Sequence, residues 1–137
     1  FNCPLEISQT VNGKNWIVKR ILISTSQIGA IYKFEIPKEY SYSYGFIDEA
    51  AQTIEPEILL PINLIIRNKG LVVLAGDHKQ LVPIVFDKIA AKSGLEVSLM
   101  ERLMDMRPYK KQNGKYNPAI VTKLMINYRS DGKPILF

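Results

Sequence analysis

The chain has 137 residues, 47% hydrophobic and 23% charged, enough apolar material for one buried core and too much for a compositionally disordered segment. Its single cysteine, Cys3, excludes an internal disulfide framework and a four-cysteine zinc site. The net charge is +5, and no apolar run approaches the ~20 residues that a membrane-spanning helix needs.

Residues 1–16 carry no clear period, with a turn at Asn12-Gly13. No basic segment followed by an apolar stretch opens the chain, so no signal peptide is read there. The chain also lacks a starting Met, and the expectation is a piece of a larger, intracellular protein. Trp16 to Ser26 is rich in β-branched residues and predicts a strand. Gln27 to Phe34 follows as a short helix that Pro37 stops.

Gly45-Phe46-Ile47 predicts a short strand ending at Asp48-Glu49. Ile54 to Arg67 has helical spacing in Ile58, Leu59, Ile62 and Ile65, with Pro56 in the first turn and Gly70 past the end. Leu71 to Ala75 is wholly apolar, the pattern of a strand buried on both faces of a parallel sheet. Gly76 to Pro83 is a loop. Ala90 to Met106 predicts one helix with Leu95, Leu99, Leu103 and Met106 on a stripe. Strands alternating with helices make the fold class α/β with a mostly parallel sheet.

Charge is unevenly placed. Seven basic residues between Arg107 and Lys133 face one acid, Asp131, whereas the rest of the chain holds eleven basic and twelve acidic residues. Such a segment suits either a polyanion or plain solvation.

Three clusters carry candidate chemistry. Asp48 and Glu49 sit at the carboxyl end of a strand, where open α/β sheets place ligands. On an extended chain they point to opposite sides, so one carboxylate can hold Mg²⁺ and the other can orient or deprotonate a water. The same pair also suits the solvated start of a helix. A parallel neighbour would bring Gly76-Asp77-His78-Lys79-Gln80 beside them, and Gln80 can donate to a phosphate or accept from a water. His78, the sole histidine, reads as surface polar. In Asn127-Tyr128-Arg129-Ser130, the aromatic can stack on a base while the arginine neutralises phosphate charge.

FIDEAAQ, GDHKQLVP and NYRS together resemble motifs II, III and IV of superfamily 1 helicases of the upframeshift-like subgroup. The resemblance is closer still to the Armitage and Moloney-leukaemia-virus-ten-like RNA helicases of the silencing pathways. It runs from Lys19 to Ser130 through RILISTSQIGAIYKF, GLEVSLMERLM and YKKQNGKYNPAIVTKLMINYRS. The resemblance implies a RecA-like P-loop NTPase core that uses ATP and Mg²⁺. Asp48 would hold the metal, Glu49 would activate water, Gln80 would contact the γ-phosphate and Asp77 would support that nucleotide-binding loop. Tyr128 would stack on adenine and Arg129 would act as a finger. Ser24 and Thr25 would touch the RNA backbone.

By the same resemblance, residues 1–106 would be the C-terminal part of a first RecA-like domain, 107–117 a basic connector and 118–137 the start of a second. Single-stranded or partly duplex RNA, Argonaute or Piwi-pathway proteins and cytoplasmic ribonucleoprotein granules are the implied partners and place, with no membrane. Two departures stand out. No Gly-rich run ending Gly-Lys-Ser/Thr lies in these 137 residues, and Asp131-Gly132 stands where the family has His-Pro after motif IV. A non-helicase P-loop ATPase and a catalytically inactive RNA-binding module remain the alternatives.

Overall fold

The computed structural model describes residues 6–126 apart from Asn12, Lys38, Glu39 and Asn68. The chain divides into two units, Phe1–Glu101 and Arg102–Phe137. The first opens with an antiparallel hairpin of β1 (Glu6–Val11) and β2 (Lys14–Lys19), in which Val11 pairs with Lys14. The connection is therefore two residues long, and Gly13 in it adopts φ +74°, the left-handed backbone that such a tight turn needs.

β2 ends at Lys19, seven residues short of the predicted strand end. Lys19 pairs with Glu6, and among the described residues nothing pairs with Ile21–Ile23. Instead Thr25 caps α1 (Ser26–Glu35), its hydroxyl accepting from the Ile28 amide at 3.4 Å.

The heart of the unit is a βαβ motif. β3 (Tyr44–Ile47) and β4 (Leu71–Leu74) run parallel and in register, Tyr44 beside Leu71 and Ile47 beside Leu74, with α2 (Glu55–Ile66) as the crossover. α2 places Ile58, Ile62 and Ile65 at helical spacing, and all three are buried. Glu55 and Glu57 sit in its first turn, where negative charge is favoured. Pro61 inside α2 leaves the Glu57 carbonyl without its helical donor, yet the helix continues. Its ring is near Gly29 of α1: a Cβ built at Gly29 would lie 3.2 Å from Pro61 Cβ. Small residues thus bring α1 and α2 together.

Gly45 of β3 faces Ile65 so closely that any side chain there would overlap it. Gly70 is equally constrained. A Cβ would come within 2.5 Å of the Ile65 carbonyl oxygen and 2.7 Å of the Tyr42 carbonyl oxygen.

The expectation that Leu71 to Ala75 is buried on both faces is not met. Leu71 and Val73 are exposed, as are Tyr44 and Phe46 beside them. The residues on the α2 face of the sheet are half-buried, and those on the other face are more exposed.

The predicted helix over Ala90 to Met106 is two pieces. α3 (Lys88–Ala90) runs into a wide π-type turn, Ala91–Leu95, which breaks where Gly94 takes φ +98°. α4 (Leu99–Met104) restarts after Ser98, whose hydroxyl accepts from the Glu101 amide at 3.1 Å. Ser98-Leu99-Met100-Glu101 is a capping sequence, so the restart is encoded locally.

In the second unit the described chain beyond α4 runs through turns, among them a tight one in which Gln112 and Lys115 exchange backbone hydrogen bonds of 2.9 and 3.1 Å. Among the described residues no helix is long and apolar enough to cross a membrane.

Candidate nucleotide site at the strand ends

The parallel register fixes the position of the two polar loops. Beyond the last strand pair, the Ala75 amide donates to the Ile47 carbonyl at 2.8 Å, and the Ala50 amide donates to the Ala75 carbonyl at 2.8 Å. Gly76 then passes close to the turn after β3. A Cβ there would lie 3.1 Å from the Ala50 nitrogen and 3.3 Å from the Ala51 nitrogen. Gly76 has φ +153°, backbone that L side chains rarely adopt. The turn bearing Asp48 and Glu49 and the loop bearing Asp77 and Gln80 are therefore joined at their roots, as the sequence pattern implied.

The chain does not stay extended at the acidic pair. Glu49 has φ +50°, so simple alternation does not govern where the two carboxylates point. Asp48 Oδ1 accepts from the Glu49 amide at 3.0 Å and stabilises this turn. Both side chains are exposed. Glu49 is held from the other side: Gln52 Nε2 donates to Glu49 Oε2 at 2.8 Å, and the Gln52 amide donates to the Glu49 carbonyl at 2.9 Å. Gln52 is the last residue of the FIDEAAQ stretch. Its spacing of three from Glu49, across a turn, was the available signal.

Asp77 organises the second loop. Its Oδ1 accepts from the Lys79 amide at 2.9 Å and its Oδ2 accepts from Gln80 Nε2 at 2.8 Å. These bonds, the Lys79 amide first, hold the Asp77 carboxyl below its ordinary range, so it is ionised at neutral pH. Gln80 is exposed, and its side chain is oriented by Asp77. Gly76, absent from the sequence-derived set, belongs to the site because it lets the two loops touch.

Ser24 and Thr25 lie elsewhere, at the start of α1. A Cβ at Gly29 would be 3.3 Å from Ser24 Oγ, and Thr25 is the cap described above. They stand at a helix N-terminus, not at a strand end. Tyr128 and Arg129 lie outside the described residues. Among the described residues no three His, Cys, Asp or Glu side chains gather as a metal cage.

A family model described as an AAA domain matches residues 17–88, more than half of the chain and both loops of this site. "RNA helicase Mov10l1" of Mus musculus is 43% identical over 118 residues, covering 81% of this chain and 10% of that relative. "Probable RNA helicase armi" of Drosophila melanogaster is 38% identical over 118 residues, with the same shares. "Regulator of nonsense transcripts 1 homolog" of Neurospora crassa is 49% identical over 61 residues, covering 44% of this chain and 5% of that relative.

The chain belongs to the upframeshift-like superfamily 1 helicases.

The fold is accordingly the α/β RecA-like core of P-loop NTPases, and the βαβ motif of β3, α2 and β4 is a part of it. The chain spans about a tenth of the length of the mouse and fly relatives. Within the helicase core, the paired loops lie where open α/β sheets bind ligands, outside the carboxyl ends of parallel strands. The donor set suits Mg²⁺ delivered with phosphates, which needs one or two protein carboxylates and not a complete cage. Asp48 is exposed and its Oδ1 is engaged by a backbone amide, so it is already oriented for such a task.

Proposed function

We propose that the protein carrying this chain is an ATP-dependent RNA helicase, which couples hydrolysis to movement along, or unwinding of, RNA. The observation that supports this best is the juncture of the Asp48–Glu49 turn with the Gly76–Gln80 loop at neighbouring strand ends. A motor needs its hydrolytic carboxylate and its phosphate-sensing side chain on one rigid frame, and this juncture supplies it. The names of the mouse and fly relatives support RNA as the substrate.

Each residue has a role in that reading. Asp48 holds Mg²⁺, which when bound with the nucleotide neutralises charge on its phosphate oxygens. Glu49, steadied by Gln52, orients the attacking water and takes its proton. Gln80, aimed by Asp77, meets the γ-phosphate and reports its loss to the rest of the loop. Tyr128 stacks on adenine and Arg129 stabilises the charge that develops on the transferring phosphoryl group. Ser24 and Thr25, with the amides of the first turn of α1, contact an RNA phosphate. The motif resemblance supports service in small-RNA silencing, beside Argonaute or Piwi-pathway proteins in cytoplasmic granules.

The test is ATP hydrolysis by the protein carrying this chain, with and without single-stranded RNA. Stimulation by RNA, abolished by Asp48→Asn, is expected. Hydrolysis indifferent to RNA would favour a protein-remodelling ATPase instead.

A further inference from the structure

The second unit contains a basic feature that no role above uses. Gln112 and Lys115 close a two-residue turn, and its central residues, Asn113 and Gly114, have φ of +52° and +78°. Both lie in the left-handed region, the conformation that Asn-Gly adopts in tight hairpin turns. One step outward, the Lys111 ammonium lies 5.1 Å from the centre of the Tyr116 ring, a cation–π contact across the turn. Lys110, Lys111 and Lys115 are all exposed, and Tyr116 is half-buried. From Arg107 to Ile126 there are five basic residues and no acid.

We infer that the Lys110–Tyr116 turn is a binding site for the phosphate backbone of single-stranded RNA, with Lys110, Lys111 and Lys115 as the phosphate contacts. The inference rests on the helicase reading for its choice of polyanion; the site itself rests on the turn. A closed turn presents its three charges at low entropic cost, because the backbone is already ordered. Tyr116 limits the freedom of Lys111 without neutralising it. Lysines interleaved with tyrosines suit a strand whose charge is continuous and whose bases are free to stack.

The experiment is equilibrium binding of a fluorescently labelled 20-nucleotide poly-uridine RNA to the protein carrying this chain, over a range of salt concentrations and without nucleotide. Each phosphate contact on a single strand contributes about 0.7 to the slope of log affinity against log salt. Changing Lys110, Lys111 and Lys115 together to Gln should therefore lower the slope by roughly 2. Changing the same three to Arg should restore it, which separates lost charge from lost folding. An unaltered slope in the Gln variant, with wild type binding RNA, overturns the inference while leaving the helicase reading standing. Wild type that binds no RNA overturns both. If the Gln variant keeps its RNA slope but loses binding to vesicles rich in anionic lipid, the turn serves a membrane surface and the RNA assignment is wrong.

Discussion

Ala50 and Ala75 are joined by a hydrogen bond of 2.8 Å, from the amide of the first to the carbonyl of the second. It lies just past the last paired residues of β3 and β4. The turn with Asp48 and Glu49 cannot leave the loop with Asp77 and Gln80 without breaking it. Strand pairing thus sets the geometry of the candidate site.

Gly76→Ala tests that dependence. The added methyl would press on the Ala50 and Ala51 amides, and φ +153° would be strained for any L side chain. A cost of roughly 1–3 kcal/mol is expected, with a loss of turnover larger than the loss of stability explains. Thermal unfolding and ATP hydrolysis measured on the same preparation check it. Unchanged values for both would show that the two loops are not locked together here.

Two other glycines should rank predictably. Gly70→Ala places a methyl against two backbone carbonyl oxygens, at 2.5 and 2.7 Å, which cannot easily give way. Gly94→Ala meets nothing within 4 Å and bears only the strain of φ +98°, about 1–2 kcal/mol. Denaturant unfolding should find Gly70→Ala the more damaging. The reverse order would contradict the packing described for the α2–β4 connection.

Much of this was legible in the sequence, and the exceptions have physical causes. β3, α2 and β4 were readable because each has one dominant period and a clear stop. The β1–β2 hairpin was not, although Asn12-Gly13 marked its turn, because Glu6–Val11 mixes polar and apolar residues without strict alternation. Ile21–Ile23 reads as strand by propensity, but a strand needs a partner. The helix predicted across Gly94 fails because its apolar stripe continues through a break that only Gly94 and the Ser98 cap reveal. At the site, Asp48, Glu49, Asp77 and Gln80 stood out by type and position. Gln52 and Gly76 did not, since one acts through a hydrogen bond and the other through the side chain it lacks.

Tyr42 gives a pH-dependent signature. Burial, then the neighbouring Tyr40 and Tyr32, pushes its phenol up from 10.0 to about 12. Its ring meets Tyr40 edge to face, with centroids 5.5 Å apart. A raised pKa in the folded state means that folding favours the protonated phenol. The contribution is whole below pH 10 and is lost as the pH rises towards 12. Ultraviolet titration should show a late-ionising phenol that is missing in Tyr42→Phe. A Tyr42→Phe titration identical to wild type would place that group elsewhere.

For Arg129, the proposed finger, geometry matters as much as charge. Lysine keeps the charge but loses the planar fork, so Arg129→Lys should reduce turnover nearly as much as Arg129→Ala, roughly 10³-fold or more. Both should still bind RNA without nucleotide. An Arg129→Lys variant with near-normal hydrolysis would remove the residue from the phosphoryl-transfer machinery.

The most direct measurement is the turnover of Glu49→Gln set beside its nucleotide affinity, both in saturating single-stranded RNA. The substitution preserves shape and removes only the charge that would receive the proton of the attacking water. ATP should bind about as tightly as to wild type, while hydrolysis falls by roughly 10²–10⁴-fold. Hydrolysis that persists, or nucleotide binding that falls in step with it, would contradict the assignment of this turn as the hydrolytic edge of a helicase motor.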